Sequence, residues 1–536
     1  MIANRRALIK IIGVTLFWNG IATASGRKVK NNKSLVCYDI NELRTLNCVG
    51  PGQSIELLEY TKGSGVGGGV FSVDINDDVT PDDGGSCIVN SANQRLKRIC
   101  PGNVIKATDY GMTGNNTDCT HLFKCFLSAE CDKYIDVDIF TSGSANLKDG
   151  SKLTGKNGCV IYATESINKS LNKHNQGQTI EVGNNCIITN VNIDGNGFKN
   201  NGFLVFKKKN VIIQNCHVGN GLGQCILDVF SFHTHYRNNT LYKAQHGVQY
   251  WGSKSGISSN NLVFEVTGGI WTACSSEIVI KNNYIHDCSD VGIDFEGGNN
   301  CLSDGNKVEY CSNGELAIFG TGKEFIRKKI PMGNLLHKNN LIKRRGYYFD
   351  RTGNKKENHY KDLGACTVFG NIDSELIGPI IFEGNRVNIE EGDGKSLRCF
   401  ASRNNSNSNM NLFFINNNFI SSSKEIGLIM HSDKVFFEGN KFKILNGNAN
   451  DSLIKLNGVS KVIFKNNHFD FIAFSSKKSP AIFIKKNNKN SKVNFEGNKF
   501  LLKGDGMIEV QCDDEVAKIK LSVNDEKKLV DRDIYL

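Results

Sequence analysis

Residues 236–251 read YRNNTLYKAQHGVQYW, and the phrase returns as ISSNNLVFEVTGGIWTA (257–273), IKNNYIHDCSDVGIDFEG (280–297) and SDGNKVEYCSNGELAIFG (303–320). Aligned on Asn239, Asn261, Asn283 and Asn306, the rungs repeat every 22 or 23 residues. A period of this size, made of strand and turn residues without helical spacing, is the signature of a solenoid. Each rung carries one short apolar strand seven to ten residues beyond its Asn, which predicts an all-β parallel β-helix. Neighbouring residues of a strand point to opposite faces. Val248, Ile270, Ile293 and Leu316 are therefore expected to stack inside. Gln249, Trp271, Asp294 and Ala317 form one outward file, and Trp251, Ala273, Glu296 and Phe319 a second.

The pattern extends in both directions. Before the rungs come IITNVNI (187–193) and VIIQNCHV (211–218); after them come LLHKNNLI (335–342), IIFEGNRV (380–387), LFFINNNFI (412–420), VFFEGNKF (435–442), VIFKNNHF (462–469) and VNFEGNKF (493–500). Asn tolerates the left-handed backbone of a tight corner, and stacked Asn amides can hydrogen-bond along the column. The spacing loosens to 34 residues between Asn306 and Asn340 and to 45 between Asn340 and Asn385, which marks insertions on the turns. The larger one, RRGYYFDRTGNKKENHYKDLG (344–364), has aromatic and charged residues suited to walling a groove, and equally to a plain surface loop.

Asp294 and Glu296 sit two residues apart on one outward face, about 6.5 Å between Cβ atoms at about 3.3 Å per residue. Glycoside hydrolysis uses such a pair, one acid protonating the leaving oxygen and the other activating water or attacking; separations of about 5–5.5 Å favour retention and about 6.5–9.5 Å inversion. Asp290 in the turn upstream, and Glu315 on the next rung beside Gly292, are candidates to raise the pKa of one partner by like charge. Trp271 lies one coil below Asp294, and Trp251 two coils below Glu296. An exposed indole suits the apolar face of a sugar ring, and its alternative is cover by an insertion or a second chain. His246 and Gln249 are candidates to position a sugar. Asp228, outward on one alignment, would contact a further sugar about 14 Å away, three coils from Asp294. His233-x-His235 lacks a spaced third ligand, so no metal or other cofactor is expected.

MIANRRALIK followed by IIGVTLFWNGIA and Ala22-Thr23-Ala24 reads as a signal peptide, and Arg5-Arg6 gives it twin-arginine character. That predicts export to the periplasm or beyond; the alternative is an ordinary basic N-terminus on a protein assembled in the cytoplasm. No other segment approaches 18 consecutive apolar residues, so no membrane span is expected. The net charge of +11 is spread through Lys-rich turns such as Lys207-Lys208-Lys209, which argues against a nucleic-acid footprint. A chain of 536 residues needs no staples, so most of its 18 cysteines, Cys186, Cys216 and Cys225 among them, are expected as free core thiols; Cys37, Cys48, Cys87 and Cys100 could pair.

Between Tyr38 and Cys100 the character changes: a short helix capped by Asp39, two strands around a Gly-rich turn, and a closing strand. Gly67-Gly68-Gly69-Val70-Phe71, Asp83-Gly84-Gly85 and Arg95-Leu96-Lys97-Arg98, in that order, resemble the small module ahead of the β-helix in bacteriophage tailspikes and capsule depolymerases. The segment 104–129 is similar to the opening of the pectate-lyase-like superfamily through Asp109-Tyr110-Gly111 and Asn116-Thr117-Asp118, with Cys119 where a second acid is usual. A helix bearing Leu122, Phe123, Phe126 and Leu127 is expected to cover the open end of the first coil. GIDFEG (292–297) is similar to a strand of the tailspike-type depolymerases.

The resemblance implies a right-handed β-helix, a homotrimer, and an enzyme that cuts bacterial surface polysaccharide, exported or carried on a phage tail. The Asp-Asp pair and Gly-His-Gly of polygalacturonases and the Asp-Pro-His-Asp of alginate epimerases are missing. Lyase chemistry, with His246 or Tyr250 as base, and a non-catalytic glycan-binding spike are the alternatives. The expected organisation is a signal over 1–24, a small α/β module over 25–100, the β-helix with its cap and insertions over 101–510, and a C-terminal cap over 511–536.

Overall fold

The paired asparagines divide one corner of the solenoid between them. Asn238, Asn260 and Asn282 adopt the left-handed conformation (φ 56°, 55° and 55°) that turns the chain. The following Asn239, Asn261 and Asn283 turn inward. Asn261 Oδ1 accepts from the Asn239 backbone N–H and from Asn239 Nδ2, both at 3.0 Å, and the pattern repeats through Asn283, Asn306, Asn340, Asn385, Asn417, Asn440, Asn467 and Asn498. Cys216 takes the place below Asn239, its N–H donating to Asn239 Oδ1 at 2.9 Å. From Asn239 to Asn467 each side-chain amide in this buried column donates to the Asn of the next coil, and each also donates to an oxygen of the coil before, as Asn498 does to Phe464 O at 2.7 Å.

The computed structural model describes residues 35–532 apart from 48, 167–176, 321–331, 359–362, 370–377, 391–396, 404–409, 446–451, 472–478, 488–489, 503–505, 513–514 and 522–528. The signal-like segment 1–24 and Cys48 lie outside the described residues. Each coil supplies three short strands: Val279–Lys281, Tyr284–His286 and Val291–Glu296 are followed by Leu302–Asp304, Lys307–Glu309 and Gly314–Phe319, each paired in parallel with its counterpart one coil earlier. The stack runs from Val104–Lys106 towards Gly506–Cys512, where pairing becomes antiparallel with Glu515–Leu521. Val248, Ile270, Ile293 and Leu316 are in register and fully buried, each worth about 1.5–3 kcal/mol of apolar burial.

The helix Thr120–Ser128 closes the first coil with Phe123, Phe126 and Leu127 in the core, and Phe126 meets Tyr110 edge to face at 5.7 Å. Asp118 belongs to this cap, its Oδ1 accepting from Thr120 N at 2.9 Å. Ahead of the solenoid, Leu35–Cys37, Ser54–Leu57, Gly69–Asp74, Arg95–Arg98 and Cys87–Val89 form, in that order, a separate sheet, beside which Asp39 caps the helix Ile40–Thr45. The described cysteines are free thiols; Cys186, Cys216 and Cys225 are buried among the coils, and Cys37, Cys87 and Cys100 are unpaired.

Candidate active site

Register brings both outward files together as the alternation requires. Leu227, Gln249, Trp271, Asp294 and Ala317 are successive partners, as are Val229, Trp251, Ala273 and Glu296. Asp294 therefore sits directly between Trp271 and Ala317 along the axis, with Glu296 two residues on.

Asp294 is only 5% exposed and its Oδ1 is fully buried, without a hydrogen-bond partner among the described residues. Two further orphans lie alongside: Trp271 Nε1 and His246 Nδ1. The imidazole of His246 packs against the Trp271 indole at 4.7 Å between ring centroids, and burial pushes it down to about 3, so it is neutral. Glu296 is half-buried and so the more accessible of the two. Burial, then the charges of Glu296 and Asp290, hold the Asp294 carboxyl well above the usual carboxylate range. Burial pushes Glu296 up to about 7; the neighbouring indole N–H of Trp271 favours its charged form without closing a hydrogen bond, and Asp290 opposes. The pair can thus hold one proton between two carboxyls at neutral pH, with the more buried Asp294 as its holder.

Asp290 is fixed by Asn313 Nδ2 at 2.6 Å, and burial raises it in turn. Beside it stands the hairpin Tyr347–Phe349 and Lys355–Glu357 of the long insertion. Its buried Tyr348 is pushed up by burial and by the charges of Asp350 and Asp290, and Arg345 anchors the hairpin to Asp287 at 3.0 Å, lying over the Tyr310 ring at 3.7 Å. Sequence reasoning flagged the insertion but not Asn313, Tyr348 or Arg345, which no repeat marks.

Five candidate residues stand differently from expectation. Asp228 pairs with Tyr250, Thr272 and Phe295, the inward file. It is fully buried and accepts from Thr234 Oγ1 and Tyr236 OH at 2.6 Å and from Ser253 Oγ at 2.8 Å, so it contacts no sugar. Tyr250 is inside as well, its hydroxyl paired with Ser258 Oγ at 2.9 Å, which removes it as a base or a substrate contact. Glu315 turns into the coil corner, fully buried and ion-paired with Arg344 at 3.1 Å; Asp290 alone of the two supporting acids adds charge to the pair. Gln249 and His246, 2% and 7% exposed, underlie Trp271 instead of standing open. Trp251 leans on Leu204, Leu227, Val229 and Phe206, an apolar strip on the outer face. Among the described residues no group of three His, Cys, Asp or Glu side chains could hold a metal, and no helix is long and apolar enough to cross a membrane.

Residues 180–330 match the family model of the right-handed β-helix region, and residues 36–101 that of the phage tail protein small four-stranded β-sheet domain. A Mu-like prophage FluMu defective tail fiber protein of Haemophilus influenzae is 40% identical over 94 residues, 17% of this chain and 15% of that relative's length. Among solved structures, tailspike protein 2 of Escherichia coli O157:H7 bacteriophage CAB120 is 14% identical with a TM-score of 0.42, the alignment covering 89% of this chain and 56% of that one. Tailspike gp49 of Acinetobacter baumannii bacteriophage Fri1, a capsular polysaccharide depolymerase, is 13% identical with a TM-score of 0.39 over 69% of this chain and 76% of that one. A GH87 α-1,3-glucanase of Streptomyces thermodiastaticus is 12% identical with a TM-score of 0.48 over 77% and 73%. The chain is a right-handed parallel β-helix preceded by a small β-sheet that matches the phage tail protein small four-stranded β-sheet domain.

Proposed function

We propose that the chain degrades a bacterial surface or extracellular polysaccharide as a glycoside hydrolase, with Asp294 as general acid and Glu296 as the base or nucleophile. The observation that carries the reading is the buried, unpartnered Asp294 Oδ1 beside the unpartnered Trp271 N–H, with Glu296 two residues away. Buried polar atoms ordinarily find partners, and a protonated acid waiting for a glycosidic oxygen is one reason to leave an atom without one. Trp271 and Trp251 supply flat apolar surface on the same two files. The small β-sheet domain supports a place on a phage-type tail, and assembly as a homotrimer belongs to the same proposal; export through the basic N-terminus is the other route to the same substrate.

The test is incubation of the intact protein with purified capsular or exopolysaccharide, reading chain length and near-ultraviolet absorbance together. Chain shortening without new absorbance is expected. Asp294→Asn and Glu296→Gln are each expected to slow it by about 10³-fold, the scale of a lost general acid or base, while polysaccharide binding persists. New absorbance from unsaturated uronate would move the assignment to a lyase. Binding without cleavage in the unmodified protein would leave a glycan-binding spike.

A further inference from the structure

A second face of the solenoid carries a column of aromatic rings with a gap in it. Tyr162, Asp194, Gly219, Tyr242, Phe264 and His286 are successive partners along the middle strands of the coils. Below the gap Tyr162 stacks on Phe140 at 5.0 Å; above it Tyr242 stacks on Phe264 at 5.7 Å, and Phe264 on His286 at 5.4 Å. Asp194 and Gly219 interrupt the column for two coils, which parts the flanking tyrosines by about 14 Å at about 4.8 Å per coil. Tyr242 reaches back into that space because Gly219 has no side chain: a Cβ there would stand 2.8 Å from its ring.

The result is a cavity of about 560 Å³ lined by Tyr162, Tyr242, Asn192, Asp194 and His217, with turn asparagines 190, 215 and 238 along its rim. Among the described residues no Lys or Arg lines it, so a phosphate or a uronate would meet no counter-charge from them. Asp194 is the single carboxylate among its described lining residues, and Oδ1 already accepts from Asn196 N at 2.7 Å and Asn220 Nδ2 at 2.9 Å, leaving Oδ2 without a described partner. Two facing phenol rings with amides and one carboxylate between them match a pyranose, whose faces are apolar and whose edge is a ring of hydroxyls. One acid without a second cannot run two-carboxylate hydrolysis.

We infer that this gap is a non-catalytic binding site for one or two units of a neutral saccharide, held between Tyr162 and Tyr242 with hydroxyls on Asp194 and Asn192. Its near wall, Tyr242, lies two coils below Asp294 on the neighbouring strand file and the gap itself three to four coils below, about 14–19 Å along the axis, so it would hold a polysaccharide on the approach to the acid pair without taking part in cleavage. It rests on the proposed function only for the choice of ligand class.

The experiment is saturation-transfer NMR and calorimetric titration of the full chain bearing Glu296→Gln, with cellohexaose, maltohexaose and laminarihexaose as probes. At least one hexaose is expected to bind. Tyr162→Ala or Tyr242→Ala is expected to weaken it by about tenfold, the loss of a stacking ring. Tyr242→Phe, which keeps the ring, is expected to leave it within about twofold. Binding lost with Trp271→Ala and indifferent to both tyrosines would overturn the inference, as would failure of all three hexaoses, or a free nucleoside binding there in preference to them. Polysaccharide cleavage plays no part in this readout, so the hydrolase proposal can fail while the tyrosine site stands, and the reverse.

Discussion

Asp294 and Glu296 titrate as neighbours, and their shared burial fixes what pH does to activity and to stability. The base form of Glu296 is needed with Asp294 protonated. Since Glu296 is pushed up to about 7, kcat/KM is expected to fall on the acid side with a midpoint near 7, well above an ordinary carboxylate limb. An acid limb near 4 in the pH profile would refute the assignment. Stability follows from the same shifts. Both carboxyls are raised in the folded chain, so it binds more protons than the unfolded one above the ordinary carboxylate range. Their stabilisation is complete below about pH 4 and is lost as pH rises through about 7 for Glu296 and through the raised range of Asp294. Asp294→Asn removes that cost, so the variant is expected to melt higher than the parent at pH 8 and close to it at pH 4. Thermal melts across this range check it; an equal offset at every pH would show the carboxyl to be unshifted.

Individual strands were legible wherever the rung phrase was intact. Between residues 236 and 320 the Asn register fixed the outward files, because a period of two leaves only one choice once one residue is placed. Where the phrase is absent, a slip of one residue reverses every side chain. The strand Ile226–Val229 has no rung phrase beside it, and Asp228 accordingly turned out to face inward. Tyr250 lies next to outward Gln249, so alternation itself places it inside. Glu315 marks a different limit. Its column is Gly247, Gly269 and Gly292, where a Cβ would strike Val263, Ile285 and Val308 in the interior. Alternation breaks at this bend, and the run of glycines was its trace in the sequence. Glu315 fits because Arg344 reaches in from the next coil and also donates to Ser312 O at 2.9 Å. Glu315→Ala would strand that guanidinium, at a cost of about 3–5 kcal/mol, while Glu315→Ala with Arg344→Met is expected to recover most of it in chemical denaturation; equal losses in both would mean packing, not charge, governs the site. The Asn ladder is tested alongside: Asn283→Ala leaves Asn261 donors without their acceptor, and about 3 kcal/mol is expected from buried unpaired amides. A loss below about 1 kcal/mol would mean that water enters the column.

Across the whole molecule, stability is a sum of neighbour contacts, since each coil touches only the coils beside it. Such a stack needs its ends closed, and the helix Thr120–Ser128 does this at one end. The small β-sheet domain is joined there by Tyr110, whose hydroxyl donates to Asp83 Oδ2 at 3.0 Å, and by Arg98. Arg98, 8% exposed, donates to Gly67 O at 3.1 Å, Gly68 O and Gly85 O at 3.0 Å, and pairs with Asp109 at 3.2 Å. The Gly-rich turn is therefore a cradle for a guanidinium: a Cβ on Gly69 would lie 2.3 Å from Arg98 Nη1. Asp109 sits in the opening segment of the solenoid, so the ion pair bridges the two parts. Arg98→Ala empties the cradle and leaves Asp109 half-buried without its counter-charge, a loss of about 3–5 kcal/mol. Because coupling in a solenoid decays with distance, that loss should stay local. Calorimetry is expected to resolve an early transition for residues 35–100, with limited proteolysis cutting within them first, while the main transition of the coils keeps its temperature. If a single transition shifts as a unit, the domain and the solenoid unfold together, and nearest-neighbour additivity fails at this junction.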